Sequence, residues 1–334
     1  MPTSTPRRPS QPRMEVPRRP ASWRRRLRRS RRTAQAAVVA LVAGIMLAAW
    51  RADGSSAEVF CPFGGFETLW TWLTTGRTTS HLHPANLVLA AGVALMALAA
   101  RGSFCGWLCP FGSLQEALYG LSRWAGRRIP ALGRWQRRPA GPGWRRADRV
   151  LRLGRYGVLA FAVVGAGVTG TLVFRDVDPW HALIGVLEFE LSLAFAVLVA
   201  VVLLSFVVPR PFCRYACPLG ATLGLIGRLS PVAVERDASA CLGCDLCTRA
   251  CPMALQVHTA SRVTSGQCIG CLECVAACPS VPALGVSVAL PWPVGAGSVA
   301  TRDEGGGLQH GTRADGADGV EAGRAGQVTE GALR

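Results

Sequence analysis

Four stretches of the chain are nearly free of polar side chains. Residues 34–50 contain Gln35 as their single strongly polar group, and 87–100 contain none. Residues 156–174 are interrupted only by Gly and Thr, and 187–208 carry Glu188 and Glu190 near their start. A bilayer core about 30 Å thick takes about 20 helical residues. The pattern therefore predicts four transmembrane helices, the second reaching spanning length only if residues 83–86 form its interfacial end. Outside these stretches the apolar residues are short-range and scattered, and the two ends of the chain lack any periodicity.

Charge orients the four helices. All 37 basic residues are Arg, and they set a formal net charge of +17 over 334 residues. Residues 1–33 hold twelve of them against Glu15, and 101–152 hold eleven against Glu116 and Asp148. Loops 51–85 and 175–185 are balanced or acidic. Positive loops stay in the cytoplasm, and an even number of helices separates the two basic segments. The expectation is a multi-pass protein of the bacterial inner membrane with both termini cytoplasmic. An export signal at Ser30-Arg31-Arg32 would put the Arg-rich 101–152 segment outside, against the same rule. Nucleic acid is not an expected partner, since the basic head has one aromatic, Trp23, and abuts an apolar span.

The organisation expected is a basic disordered cytoplasmic tail over 1–33, a four-helix membrane domain over 34–236, a cysteine-rich domain over 237–290 and a disordered Gly-rich tail over 291–334.

Cysteine usage supplies the chemistry. Twelve of the thirteen cysteines fall into groups followed by proline, and Cys61 stands alone in CPFGG. Residues 241–252 read CLGCDLCTRACP and 268–279 read CIGCLECVAACP. Each is the C-x2-C-x2-C-x3-C-P run of bacterial two-cluster ferredoxins, whose fourth cysteine serves the other cluster. Cys241, Cys244, Cys247 and Cys278 are expected to hold one [4Fe-4S] cluster, and Cys268, Cys271, Cys274 and Cys251 the second. Paired zinc knuckles would need only four ligands, whereas eight stand here in a duplicated frame. The fold class expected is thus an α-helical membrane protein with a small α+β bacterial two-cluster ferredoxin domain. Two adjacent clusters without an acid, base or nucleophile among them point to electron transfer.

A second duplication lies in the membrane part. Residues 104–113 read FCGWLCPFGS and 212–221 read FCRYACPLGA, sharing the frame F-C-x3-C-P-x-G. Each follows a predicted span by a few residues and precedes a short apolar-patterned stretch. Parallel repeats of this kind relate by an axis along the membrane normal. Each motif alone offers two thiolates; together Cys105, Cys109, Cys213 and Cys217 offer four, candidates for a further iron–sulfur or other metal centre.

Four spans, two CxxxCP motifs and a C-terminal double cluster run resemble the NapH-type membrane ferredoxins over roughly 34–290. The chain is similar also to the membrane part of NosR and, more distantly, to polyferredoxins of cytochrome oxidase assembly. The resemblance implies a quinol-linked electron relay, a component of a quinol dehydrogenase rather than a stand-alone enzyme. Its partners would be membrane lipid, the quinone pool and a redox protein such as a cytochrome or a periplasmic reductase subunit. The alternative is a biogenesis or regulatory factor for a respiratory metalloenzyme. The Arg-rich head, the Gly-rich tail and Cys61 depart from the family pattern. On the outer side, His81, His83, Asp178, His181, Glu188 and Glu190 read either as loop and interface residues in contact with water or as groups that take protons from a quinol, and Trp70, Trp72 and Trp180 suit an interfacial belt.

Overall fold

Proline opens most of the helices. It fits the first turn, where its missing N–H would have no partner and its fixed φ is already helical. The computed structural model of the chain describes residues 18–51, 62–76, 84–136, 142–169, 173–185 and 192–289. Helix α1 runs Ala21–Arg51, α2 Pro62–Thr75 and α3 Pro84–Ala100. After a π-helical turn at Phe104–Leu108 come α4 (Pro110–Arg128), α5 (Pro130–Gln136), α6 (Pro142–Leu151) and α7 (Gly154–Thr169). A 3-10 turn at Val173–Val177 leads to α8 (Pro179–Gly185), then α9 (Leu193–Ser205), α10 (Pro211–Tyr215) and α11 (Pro218–Ile226). The last part holds β1 (Val232–Arg236), α12 (Leu246–Ala250), β2 (Arg262–Val263), α13 (Glu273–Ala277) and β3 (Leu284–Val288). Cys61, His81, His83, Glu188, Glu190 and both chain ends lie outside the described residues.

The apolar helices bury small residues and turn large ones outward. Ala97, Ala162, Ala166 and Ala194 are at most 1% exposed, whereas Val88, Leu95, Val164, Val168 and Leu203 are over 60% exposed. Among the described residues one helical stretch, Arg146–Thr169, is long and apolar enough to cross a membrane. The expected second and fourth spans appear as the shorter apolar helices Asn86–Ala100 and Leu193–Ser205. At 1.5 Å per residue, α9 is only about 20 Å long. Its start is fixed by Ser192, whose Oγ accepts a hydrogen bond from the Phe195 N–H at 3.3 Å. Within the segment 51–85, read from sequence as a loop, α2 packs on α3 and α7.

The basic head also differs from the expected disordered tail where it is described. Residues 21–33 are the first turns of α1, and Arg18 pairs with Ser280 in an antiparallel bridge. The Arg19 N–H donates to the Pro279 carbonyl at 2.7 Å, and its guanidinium donates to the carbonyls of Val281 and Leu284. The physical reason is pairing: Arg19, Arg28 and Arg31 meet carbonyls and carboxylates from the far end of the chain, while Arg25, Arg26, Arg29 and Arg32 stay exposed.

The cysteine-rich part is built on an antiparallel sheet of order β2-β1-β3. Val234 stands opposite Val263 on one side and Val286 on the other. Val234, Val257, Val263, Val275 and Leu284 form its core. Because β1 starts at Val232, this module begins before residue 237, and it forms one compact unit with the described helices.

Candidate metal centres

The two ferredoxin runs fold alike. Gly243 and Gly270, in the second positions before Asp245 and Leu272, have φ of +65° and +58°. Asp245 and Leu272, each following the second cysteine of its run, both have φ of +56°. Such left-handed turns wrap a loop tightly; for Asp and Leu the conformation is costly and marks a constrained site. Short helices α12 and α13 follow, each ending at the fourth cysteine.

Cys251, Cys268, Cys271 and Cys274 line one small enclosed cavity together with Gly270. Three of these thiols come from the second run and one from the first, as the crossed ligand pattern requires. Cys278 in turn lies within electrostatic reach of Cys241, Cys244 and Cys247. Burial pushes the thiols of the enclosed group upward, Cys271 to about 11. The backbone N–H groups of Leu255, Gly270, Glu273 and Val275 act in the opposite direction on Cys251, Cys268, Cys271 and Cys274. A thiol held protonated by burial yet facing N–H donors fits a metal-bound thiolate, whose formation expels the proton. Among the described residues no three His, Cys, Asp or Glu side chains are close enough to share one metal ion. The thiols stand around a cavity and not around a point, and all twelve described cysteines are free.

The CxxxCP motifs repeat at atomic detail. Cys109 and Cys217 cap α4 and α11 with nearly identical dihedrals, φ −67°, ψ 113° and φ −71°, ψ 112°. Each Sγ accepts from the N–H of the motif glycine, Gly112 at 3.4 Å and Gly220 at 3.2 Å. Proline after each cysteine starts the helix, so the frame C-P-x-G is a helix N-terminus presenting a thiol. Gln115 spans the two repeats: its Oε1 accepts from the Phe212 N–H at 3.1 Å, and its Nε2 reaches Cys213 Sγ at 3.6 Å. Cys105, Cys109, Cys213 and Cys217 are electrostatic neighbours of one another, and burial raises all four. The sequence repeat thus brings together four thiols.

The two cysteine regions touch. The carbonyl of Ile269 would lie 2.2 Å from a Cβ on Gly106, and that of Cys268 2.4 Å from one on Gly102. The Trp107 indole N–H donates to the Gly270 carbonyl at 3.1 Å. Around this junction runs a charge network invisible in the sequence. Arg31, 2% exposed, donates to the Gly106 carbonyl, to Glu116 and to Glu273. Fully buried Arg210 donates to the same Glu116 Oε2 at 2.7 Å and to the Cys105 carbonyl. Burial alone would raise Glu116, but the charges of Arg210 and Arg31 outweigh it and hold the carboxyl below its usual range.

Beside the CxxxCP thiols lies an apolar cavity of about 320 Å³. Cys109, Cys213 and Cys217 line one part of it, and Phe63, Phe111, Trp180 and Asp178 another. Asp178 is the one acidic residue among the described residues that line it, and its Oδ1 accepts from the Trp180 N–H at 3.0 Å. Asp178 was expected in an outer loop; it is instead 9% exposed within the fold. Glu67, read from sequence as loop charge balance, is 3% exposed on α2, and its Oε1 has no hydrogen-bond partner among the described residues. Trp70 and Trp72 are exposed on the same helix.

A model described as a 4Fe-4S binding domain matches residues 82–130 and 192–236, the two CxxxCP repeats, and a 4Fe-4S dicluster domain matches 233–279. The chain is 36% identical over 110 residues to the methylamine utilization ferredoxin-type protein MauN of Paracoccus denitrificans, covering 32% of this chain and 38% of MauN. It is 30% identical over 123 residues to the putative electron transport protein YccM of Escherichia coli, covering 35% and 34%. It is 30% identical over 122 residues to the ferredoxin-type protein NapH of Haemophilus influenzae, covering 36% and 42%. The chain thus spans less than half the length of these relatives, and no solved structure matches it. Over the matched segments, with both cysteine duplications in place, the chain carries 4Fe-4S binding domains and is similar to ferredoxin-type electron transport proteins such as MauN and NapH.

Proposed function

We propose that the protein is a membrane-bound iron–sulfur relay carrying electrons between the quinone pool and a redox protein. The observation that carries this reading is the backbone contact of Gly106 with Ile269 and Cys271. Cys241, Cys244, Cys247 and Cys278 would hold one [4Fe-4S] cluster, Cys268, Cys271, Cys274 and Cys251 a second, and Cys105, Cys109, Cys213 and Cys217 a further iron–sulfur centre. Bound clusters of this kind supply reversible one-electron transfer. The chain sets their order: the CxxxCP loop adjoins the enclosed ferredoxin site, and the two ferredoxin sites share crossed cysteines. Arg31 and Arg210, buried at the junction, favour negative charge on the cysteine side and hold the loops in register.

Membrane insertion is supported by the outward-facing Val and Leu side chains on α3, α7 and α9, which water would penalise. The Arg excess of residues 101–152 supports a cytoplasmic position for the cysteine centres. The short helices α3 and α9 would then rely on their flanking turns to complete the crossing.

The apolar cavity beside the CxxxCP thiols suits a quinol head, with aromatic walls and one carboxylate. Oxidation of a quinol releases protons, and Asp178 is the group in the cavity able to accept one. The test is cluster reduction by quinol in liposomes containing the purified protein. Bleaching of the visible absorption on a turnover timescale is expected. Slow or absent bleaching at full iron content would contradict the relay.

A further inference from the structure

A second cavity, about 590 Å³, lies where the helices meet the ferredoxin module, with no cysteine among the described residues that line it. Four arginines line it: Arg101 at the end of α3, Arg155 at the start of α7, Arg228 in the 3-10 turn Gly227–Leu229, and Arg262 on β2. No carboxylate is among the described residues that line it. Among the described residues Arg101, Arg155 and Arg228 form no salt bridge, and only Arg262 has an acidic neighbour, Glu235 at 3.5 Å.

Two of these guanidiniums are in an unusual state. Arg101 is 4% and Arg155 2% exposed, yet Arg101 Nη1 and Arg155 Nε are buried without a hydrogen-bond partner among the described residues. What they do bond is neutral: Arg101 Nε donates to the Val232 carbonyl at 3.0 Å, and Arg155 Nη2 to the Tyr156 hydroxyl at 2.6 Å. A buried charge without a counterion costs several kcal/mol in typical proteins, and buried N–H groups rarely stay unpaired. Arg228 is exposed at the rim, so the cavity is open to a ligand from outside.

The geometry points to an anion site that takes a phosphate-bearing ligand. Arginine is the residue suited to phosphate, because its planar fork meets two oxygens at once. A phosphate group in this cavity would offer oxygens to the idle N–H atoms of Arg101 and Arg155 and offset positive charge that no carboxylate pairs among the described residues. Thiols reach this cluster of charge in part, Cys268 acting on Arg101 and Cys105 on Arg155, but no cysteine is among the described residues that line the cavity. The phosphate could belong to an anionic lipid headgroup, since Arg101 and Arg155 flank apolar helices at the face proposed as cytoplasmic, or to a free phosphate compound. The lipid source rests on the membrane reading above; the site itself does not.

The test uses the full chain with its clusters, in detergent. Phosphatidylglycerol and net-neutral phosphatidylcholine are the lipid probes, followed by native mass spectrometry, and inorganic pyrophosphate is the soluble probe, followed by calorimetry. Binding of phosphatidylglycerol over phosphatidylcholine, or of pyrophosphate, is expected. It should weaken at least about tenfold in Arg228→Gln and in Arg155→Gln, since each removes a charge-assisted contact. Preference for the lipid probe identifies a headgroup and preference for pyrophosphate a soluble ligand; both support the site. Arg228→Gln, at an exposed position, keeps the test valid should Arg155→Gln fail to fold, and iron content reports folding in both. The proposal is overturned if neither probe binds. It is overturned equally if Arg228→Gln with full iron content binds as the parent does, including when that variant shifts only the cluster potentials.

Discussion

The carbonyl oxygen of Ile269 occupies the place where a side chain on Gly106 would begin, 2.2 Å from its Cβ position. The neighbour is backbone and cannot swing aside. Gly106→Ala therefore has to push the ferredoxin module off the CxxxCP loop. A cost of about 1–3 kcal/mol is expected, the usual range for overpacking. Gly120→Ala, on α4 with nothing within 4 Å, is the control and should be neutral or mildly stabilising. Thermal melts of both variants check this, and electron transfer to the ferredoxin sites should slow only in the first.

Glu116 holds two buried arginines that would otherwise face each other across one carboxylate. Glu116→Gln should destabilise the docked arrangement by on the order of 3 kcal/mol, because buried Arg210 loses its one carboxylate partner among the described residues and Arg31 keeps only Glu273. The same carboxyl gives a pH dependence. Its folded value is depressed, so its contribution is present above the ordinary carboxylate value and is lost as pH falls through the depressed one. Stability should drop in acid in the parent and less so in Glu116→Gln, as followed by denaturant unfolding across pH.

The crossed cysteines separate two otherwise similar variants. Cys251 lines the cavity of Cys268, Cys271 and Cys274 although it belongs to the first run. Cys251→Ser should abolish or alter the electron paramagnetic resonance signal of one cluster, and Cys271→Ser should affect that same signal. Cys278→Ser should affect the other, together with Cys244→Ser. A match of Cys251→Ser with Cys244→Ser would mean that each run serves its own cluster.

Asp178 is the acidic wall of the apolar cavity. Asp178→Asn keeps the size of the side chain and removes its capacity to accept a proton. Quinol-driven reduction of the protein should slow by about 10²-fold or more, the ordinary value of a positioned base. Iron content should not change. An unaltered rate would remove Asp178 from the reaction.

The chemistry was legible in the sequence because its residues are close in the chain. CxxC spacings and the CxxxCP repeat name their own loops, and proline names the helix starts at Pro110 and Pro218. The junction was not legible. Arg31 meets Glu116 and Glu273, partners 85 and 242 residues away, so a charge that looked solvated is buried. Glu67 was hidden for a related reason. A helix of mixed composition in a short segment between apolar runs reads as a loop, and only packing on α3 and α7 makes it a wall of the fold. The apolar run 187–208 likewise overstated its helix, since composition does not mark where Ser192 caps it.

Iron and acid-labile sulfide counted on anaerobically purified protein test the central claim most directly. The account predicts the iron of three four-iron clusters, falling to that of two when Cys105, Cys109, Cys213 and Cys217 are all changed to Ser. Two clusters in the parent, with no loss in the fourfold variant, would contradict it.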